Sequence, residues 1–350
     1  MFYNVLRLAI YTKFSTYSSK TFKIILACLS VIIVLCFLLY VSKENDEIKI
    51  VQVSNAEELI NAIASNCIIE IQPGEYNLST VAQKKLKNVT WEIALKLKNK
   101  IQYQIVIRNI SNLTLRRSGK GLVHIYVNER YADVLSFFKT KNLGIDGLKI
   151  GHFPDPGHCL GAVLNINDSQ NISIDNSILY GCGTEGLTLF KVKDFNFNKS
   201  IIEDCSYGIM TAESCDNLNF KHSIFRNNKE YYGFNFKNCL KINFRNCTVK
   251  DNILCEYALD EQRLLFDHSN GHQDPITFSG GVIENNKTYN LCKSSQYVVF
   301  KDTKFIANYW ASIIDKKKYE SKEWKVKQKK WKVQKKRIEK LLGISLAKRK

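Results

Sequence analysis

Residues 171–190 read NISIDNSILYGCGTEGLTLF, and residues 194–212 read DFNFNKSIIEDCSYGIMTA. Laid side by side, both open on an anchor residue followed by alternating apolar positions. Both then break at a short polar stretch, resume with a second apolar piece, and reach a Gly that starts a third. The opening phrase returns as NLTL at Asn112, NLGI at Asn142, NLNF at Asn217 and KINF at Lys241, so the anchors stand 30, 29, 23, 23 and 24 residues apart. An interval of that size is the mark of a repeat architecture.

The local pattern decides which repeat. Ile172 and Ile174, Phe195 and Phe197, and Leu218 and Phe220 follow the two-residue period of a strand. A helical solenoid would need stretches of about ten residues at a 3.6-residue period, and none fits between the anchors. Short strands repeating without helices imply a chain wound into coils, each pairing with the next. The expected fold is all-β, a right-handed parallel β-helix.

Charge is distributed unevenly. The net charge is +18, but residues 1–23 carry +4 and residues 315–350 carry 16 basic against 4 acidic residues, which leaves +2 for residues 24–314. A nearly neutral body does not point to nucleic acid as a partner. The eleven cysteines include no C-x-x-C pair and no zinc-like Cys/His cluster. Cys182 and Cys205 lie eleven residues after their anchors, where the next coils have Asn228 and Asn252, and Cys215 and Cys239 lie two before theirs. They are expected to be small inward residues with free thiols, although coils about 4.8 Å apart are near enough to be bridged.

Residues 24–41 (IILACLSVIIVLCFLLYV) are uncharged, at the short end of what spans a bilayer. The following LLYVSKEN is a poor cleavage site, and Cys28 precedes most of the apolar run, the wrong order for a lipoprotein. A buried core helix is the plainer alternative. An uncleaved signal anchor is the favoured expectation. Basic residues before it and Glu44, Asp46 and Glu47 after it place the N-terminus in the cytoplasm and the rest outside, as a single-pass cell-membrane protein.

After a linker (42–49), IKIVQV reads as a strand. Ser54 or Asn55 can cap a short helix, with Glu58 placed for a capping box, and CIIEIQPGEYNLS returns to strand. Such a helix would cover the open end of the stack. The phrases AEELINAI (56–63) and IEIQPGEY (69–76), followed by the recurring anchors, resemble the opening of pectin-lyase-like right-handed β-helix proteins. Gly151–Gly186 resembles bacterial β-helix-repeat proteins. The resemblance covers roughly residues 50–310 and implies the fold; activity depends on sites grafted onto it.

Residues 81–110 read as an irregular first coil, and residues 253–296 as an interruption, with CEYALDEQRLLFDHSNGHQDP an inserted helix or loop. The β-helix domain is expected over 50–314. Residues 315–350, with Trp324, Trp331 and Ile338 spaced by seven on a Lys-rich background, read as a basic amphipathic helix. It suits an anionic surface or the far end of the solenoid.

Gly161, Gly186, Gly208 and Gly233 recur at intervals of 25, 22 and 25, so they should align along one edge. The residues just before them form a ladder of His158, Glu185, Tyr207, Glu230, Tyr231 and Tyr232, beside Asn165, Thr188, Asn235 and Lys237 on the strand. Aromatic rings stack on sugar faces and carboxylates accept hydroxyl hydrogen bonds, so this edge suits a polysaccharide or another cell-envelope polymer. The plainer reading of each residue is a solvated turn. Tyr207, Tyr231, Tyr232, Asn235 and Lys237 are the binding candidates; His158, Glu185 and Glu230 are the weaker catalytic ones. Glu185 and Glu230 would lie about 9–10 Å apart, a spacing compatible with an inverting hydrolase. No cofactor or metal is expected, and calcium would enter only if the protein were a lyase, which the resemblance allows. The expected function is a membrane-anchored glycan-binding β-helix; a lyase or glycoside hydrolase and a non-enzymatic envelope scaffold are the alternatives.

Overall fold

The computed structural model describes residues 28–33, 47–97, 100–153, 161–181, 185–229, 231–254 and 263–310. Residues 28–33 are helical and belong to a unit separate from the body. Among the described residues no helix is long and apolar enough to cross a membrane. Most of the expected anchor and the expected C-terminal helix lie outside the described residues.

From Lys49 onward the chain winds through three parallel sheets of ten, nine and nine strands. Sheet A holds the recurring anchors, from Lys49–Val53 through Gln170–Asp175 to Val298–Lys301. Sheet B holds the short second strand of each coil, such as Ile178–Tyr180, and sheet C the third, such as Leu187–Phe190. Each strand pairs with its equivalents one coil away, which is why the interval between anchors is a coil length.

The anchor is more than a phase marker. Asn112, Asn142, Asn171, Asp194, Asn217 and Lys241 all have φ between 54° and 62°, a region that Asn and Asp tolerate best among non-glycine residues. Pairing steps over the anchor: Gln170 faces Lys193 and Ile172 faces Phe195. The freed amides stack coil on coil. Asn112 Nδ2 donates to Asn66 Oδ1 at 2.6 Å, Asn142 to Asn112 at 2.6 Å, Asn171 to Asn142 at 2.7 Å, and Asn217 to Asp194 at 2.7 Å.

Inward positions form columns. The column beginning at Val51 continues as Ile69, Leu115, Ile145 and Ile174, then changes to Phe197, Phe220, Phe244, Phe278 and Phe300. Phe220 and Phe244 stack at 4.5 Å. At the corner after sheet B the inward column is polar: Cys205, Asn228, Asn252, Asn286 and Asn308. In it each side-chain oxygen accepts backbone N–H, amide N–H or both from the coil before. All seven cysteines among the described residues are free; Cys182 lies outside them.

Asn55 caps the helix Ala56–Asn61, accepting from Glu58 N at 2.9 Å, while the Glu58 carboxylate reaches back to Ser54 N at 2.8 Å. That reciprocal pair is a capping box shifted by one residue. Leu59 and Ile60 enter the core.

Two expectations change. The irregular first coil is an antiparallel hairpin, Val89–Leu97 with Lys100–Arg108, which ends sheet C. The segment read as an interruption contains Leu264–His268, a sheet C strand paired with Tyr232–Lys237. Its inward Leu264 and Phe266 keep the two-residue period, so the coil continues without a leading Gly.

Candidate functional site

The edge before sheet C holds the described candidates, and they differ in exposure. Glu185 is only 4% exposed, and its Oε1 accepts from Thr188 Oγ1 at 2.9 Å. Tyr207 is 7% exposed; its carbonyl accepts from Tyr231 N, and the two rings meet edge to face at 5.0 Å. Tyr231 and Tyr232 are half-buried. The Arg263 guanidinium lies 4.6 Å over the Tyr231 ring, a cation–π contact. Tyr232 pairs with Gly208, where a Cβ would come within 2.7 Å of its ring. This edge is thus partly internal packing. His158 and Glu230 lie outside the described residues.

The strand beside it carries a polar row that is half-buried, except for Ser136, which is buried. Ser136, Asn165, Thr188, Thr211, Asn235 and Asp267 are register partners in six successive coils and form one straight polar row. Burial raises the Asp267 carboxyl above its ordinary range, and Lys293 and Lys237 oppose this. The next outward row runs Arg108, Phe138, Asn167, Phe190, Glu213, Lys237.

Two carboxylates share a register position two coils apart, though not the pair read from sequence. Asp133 stands three residues before Ser136 as Glu185 stands three before Thr188. Asp133 Oδ2 accepts from Ser136 Oγ and Asn165 Nδ2, both at 2.7 Å, and its Oδ1 from Ala162 N at 2.8 Å. These carboxylates brace the corner. Among the described residues no group of three or more His, Cys, Asp or Glu could hold a metal ion. Calcium needs several converging oxygens, and the Asp133 and Glu185 carboxylates, two coils apart and each bonded at its own corner, do not converge.

A second constellation sits on the outer face of sheet B. His124 Nδ1 is 2.6 Å from Glu75 Oε2, and its Nε2 is hydrogen-bonded to the Tyr180 hydroxyl. Tyr180 reaches across one coil because the residue between is Gly151, whose Cβ would lie 2.4 Å from the ring. Lys149 Nζ is 4.6 Å above the same ring. Tyr126 packs on His124 at 4.8 Å, and Phe153, 63% exposed, packs on Tyr126 at 5.0 Å. Burial lowers the His124 pKa against the opposing pull of Glu75, and burial pushes Tyr180 up to about 12. A neutral imidazole joined to a carboxylate and a phenol can pass a proton along the chain. Sequence reading missed it because its members are 49 and 56 residues apart; Glu75 and His124 share a register position, but Tyr180 belongs to the column of Tyr126 and Gly151.

At the corner from sheet C to sheet A lies a shallow groove of about 360 Å³ lined by Lys139, Lys141, Lys191 and Lys193 with Thr140, Asp168, Ser169 and Gln170. Like the sheet B chain, it was not among the expected sites.

Residues 107–270 match the family model described as the right handed beta helix region, a span that includes all the described candidates on the sheet C edge. No curated protein matches the chain. That match and the three stacked parallel sheets show the fold, a right-handed parallel β-helix, consistent with the pectin-lyase-like kind.

Proposed function

We propose that the protein binds a polysaccharide along the outer face of sheet C. The observation that carries this reading is the polar row from Asn165 to Asp267. Its side chains are short hydrogen-bonding groups repeating every coil, about 4.8 Å, close to the length of one sugar residue. A rigid row at that step presents the half-buried Asn165, Thr188, Asn235 and Asp267 to a polymer at fixed spacing, while the Thr211 hydroxyl is buried. Asn235 and Lys237, named from sequence, lie on this face; Tyr231 and Tyr232 border it. The uncharged run 24–41 supports a membrane anchor with the β-helix outside the cell.

Retention on a glycan array tests the reading, with Thr188→Leu and Asn235→Leu as paired variants. Binding should fall at least tenfold in the double variant, and retention of no glycan by the parent chain would leave the envelope scaffold as the better reading. Protease added to intact cells should remove the β-helix; full protection would refute the outward topology. A second reading, an acid–base enzyme, is favoured by the Glu75–His124–Tyr180 chain on sheet B.

A further inference from the structure

The lysine-lined groove repeats a sequence motif. Residues 138–141 read FKTK and residues 190–193 read FKVK. They occupy the same corner two coils apart, since Phe138 pairs with Asn167 and Asn167 with Phe190, while Lys141 pairs with Gln170 and Gln170 with Lys193. The coil between them reads NDSQ. It places Asp168 between Lys139 and Lys191, and Gln170 between Lys141 and Lys193.

The two basic corners are built alike. Lys139 and Lys191 both have left-handed backbone, φ 54° and 53°. Each folds its ammonium over the preceding ring, 5.1 Å from Phe138 and 4.9 Å from Phe190. The contact holds two charges in matching places, which reduces the ordering that a ligand must impose. All four lysines are exposed. Among the described residues none of the four forms an ion pair. Four unneutralised ammonium groups around a groove are notable on a body whose net charge is only +2. On the following coil Glu213 stands at the Phe190 position and Asp216 at the Lys193 position, so the basic surface is local.

We propose that the FKTK and FKVK corners form a binding site for an acidic glycan that carries one anionic group on every second sugar. This rests on the reading of sheet C as a glycan-binding face and names the charge pattern of its ligand. Coils rise by about 4.8 Å, so the two lysine pairs are separated by about two sugar lengths. An anionic group seated at each pair leaves the intervening sugar beside Asp168 and Gln170. There a carboxylate would meet a like charge, whereas a neutral sugar finds an acceptor and an amide. A polymer charged on every sugar is therefore disfavoured at the middle coil. One charged on alternate sugars satisfies all three coils.

Titration calorimetry of the full chain tests this with fragments of equal length. Hyaluronan alternates a carboxylate with a neutral sugar, polygalacturonate has a carboxylate on each, and dextran has none. Hyaluronan should bind about tenfold more tightly than polygalacturonate, a difference set by one like-charge contact. Raising the salt should weaken binding. Lys139→Glu with Lys191→Glu should abolish the hyaluronan preference without altering the circular dichroism spectrum. Asp168→Asn should raise polygalacturonate affinity towards that of hyaluronan. Equal or tighter binding of polygalacturonate by the parent chain, or unchanged binding in the double lysine variant, would overturn the proposal. Binding of dextran as tight as that of either acid polymer would overturn it while sparing the glycan-binding face. Binding of none of the three would remove both.

Discussion

Asn228 donates its side-chain amide to Asn252 Oδ1 at 2.9 Å, with both residues wholly buried at the corner after sheet B. The same oxygen accepts Asn228 N at 3.0 Å, and Asn252 Nδ2 in turn donates to Asn286 Oδ1 and to the Phe225 carbonyl. The Asn252 side chain thus satisfies groups on the coil before it and on the coil after it. Asn252→Ala would leave several of them buried without partners, at about 1–3 kcal/mol each. The expected loss is on the order of 3 kcal/mol or more, read as a lower denaturant midpoint. A midpoint unchanged from the parent would show that the ladder is dispensable.

Phe244 makes ring contacts at 4.5 Å with Phe220 and 5.5 Å with Phe278, in the half of the column that has turned aromatic. Truncation to Ala leaves a cavity that stacked neighbours cannot fill by relaxing, because each is held by its own coil. Phe244→Ala should destabilise by about 3–5 kcal/mol, and Phe244→Leu by clearly less. Equal effects would mean that the column collapses around the gap.

The period carried most of the fold because it is local: Asn142 and Asn171 announce the same turn, the same register and the same corner. What the period could not show was how much work each repeated residue does. The anchors proved to be left-handed residues whose amides stack, and Asn228 and Asn252 proved to be a second, buried ladder. LLFDH escaped because its coil lacks the leading Gly, although Leu264 and Phe266 keep the strand alternation. The Tyr207 edge was legible as an alignment; its burial was not, since exposure at a corner depends on how neighbouring side chains fold over it. His124 and Tyr180 meet only because Gly151 intervenes in space, a relation absent from any local pattern.

Burial raises the thiols of Cys205 and Cys247, the latter to about 11. The hydrogen bond that the Cys239 thiol gives to Cys215, with burial adding to it, raises Cys239 as well. The thiolate is the reactive form, so these positions should resist alkylation in the native state. Iodoacetamide labelling followed by peptide mapping should leave Cys205, Cys239 and Cys247 unmodified until denaturant is added. Native labelling at rates matching the denatured chain would mean that the coils open readily.

Burial lowers the pKa of both His124 and His152. His124 is faced by Glu75, Lys149, Tyr126 and Tyr180; His152 holds the Ala132 carbonyl at 2.9 Å and feels Asp133 and Glu129. In the unfolded chain each titrates near the ordinary value of about 6.5, so below that the unfolded state binds more protons than the native one. Their contribution to stability is present above about pH 6.5 and is lost as pH falls towards the lower folded values. Denaturant midpoints should therefore decline on acidification through this range. The His152→Asn variant should show a shallower decline, and an unchanged slope would exclude His152 from the effect.

Gly151 provides the sharpest test of the sheet B chain. A Cβ there would lie 2.2 Å from the Tyr180 carbonyl oxygen and 2.4 Å from its ring, so both the strand pairing and the ring must shift. Gly151→Ala should destabilise by about 1–3 kcal/mol, as overpacking does, and should draw the phenol away from His124 Nε2. Tyr180→Phe removes the same hydrogen bond but leaves the strands paired, and should cost no more than about 1.5 kcal/mol. Imidazole nitrogen shifts read by NMR should change alike in the two variants while their stabilities differ. If the shifts follow stability instead, the Tyr180 hydroxyl is not what sets the state of the His124 ring.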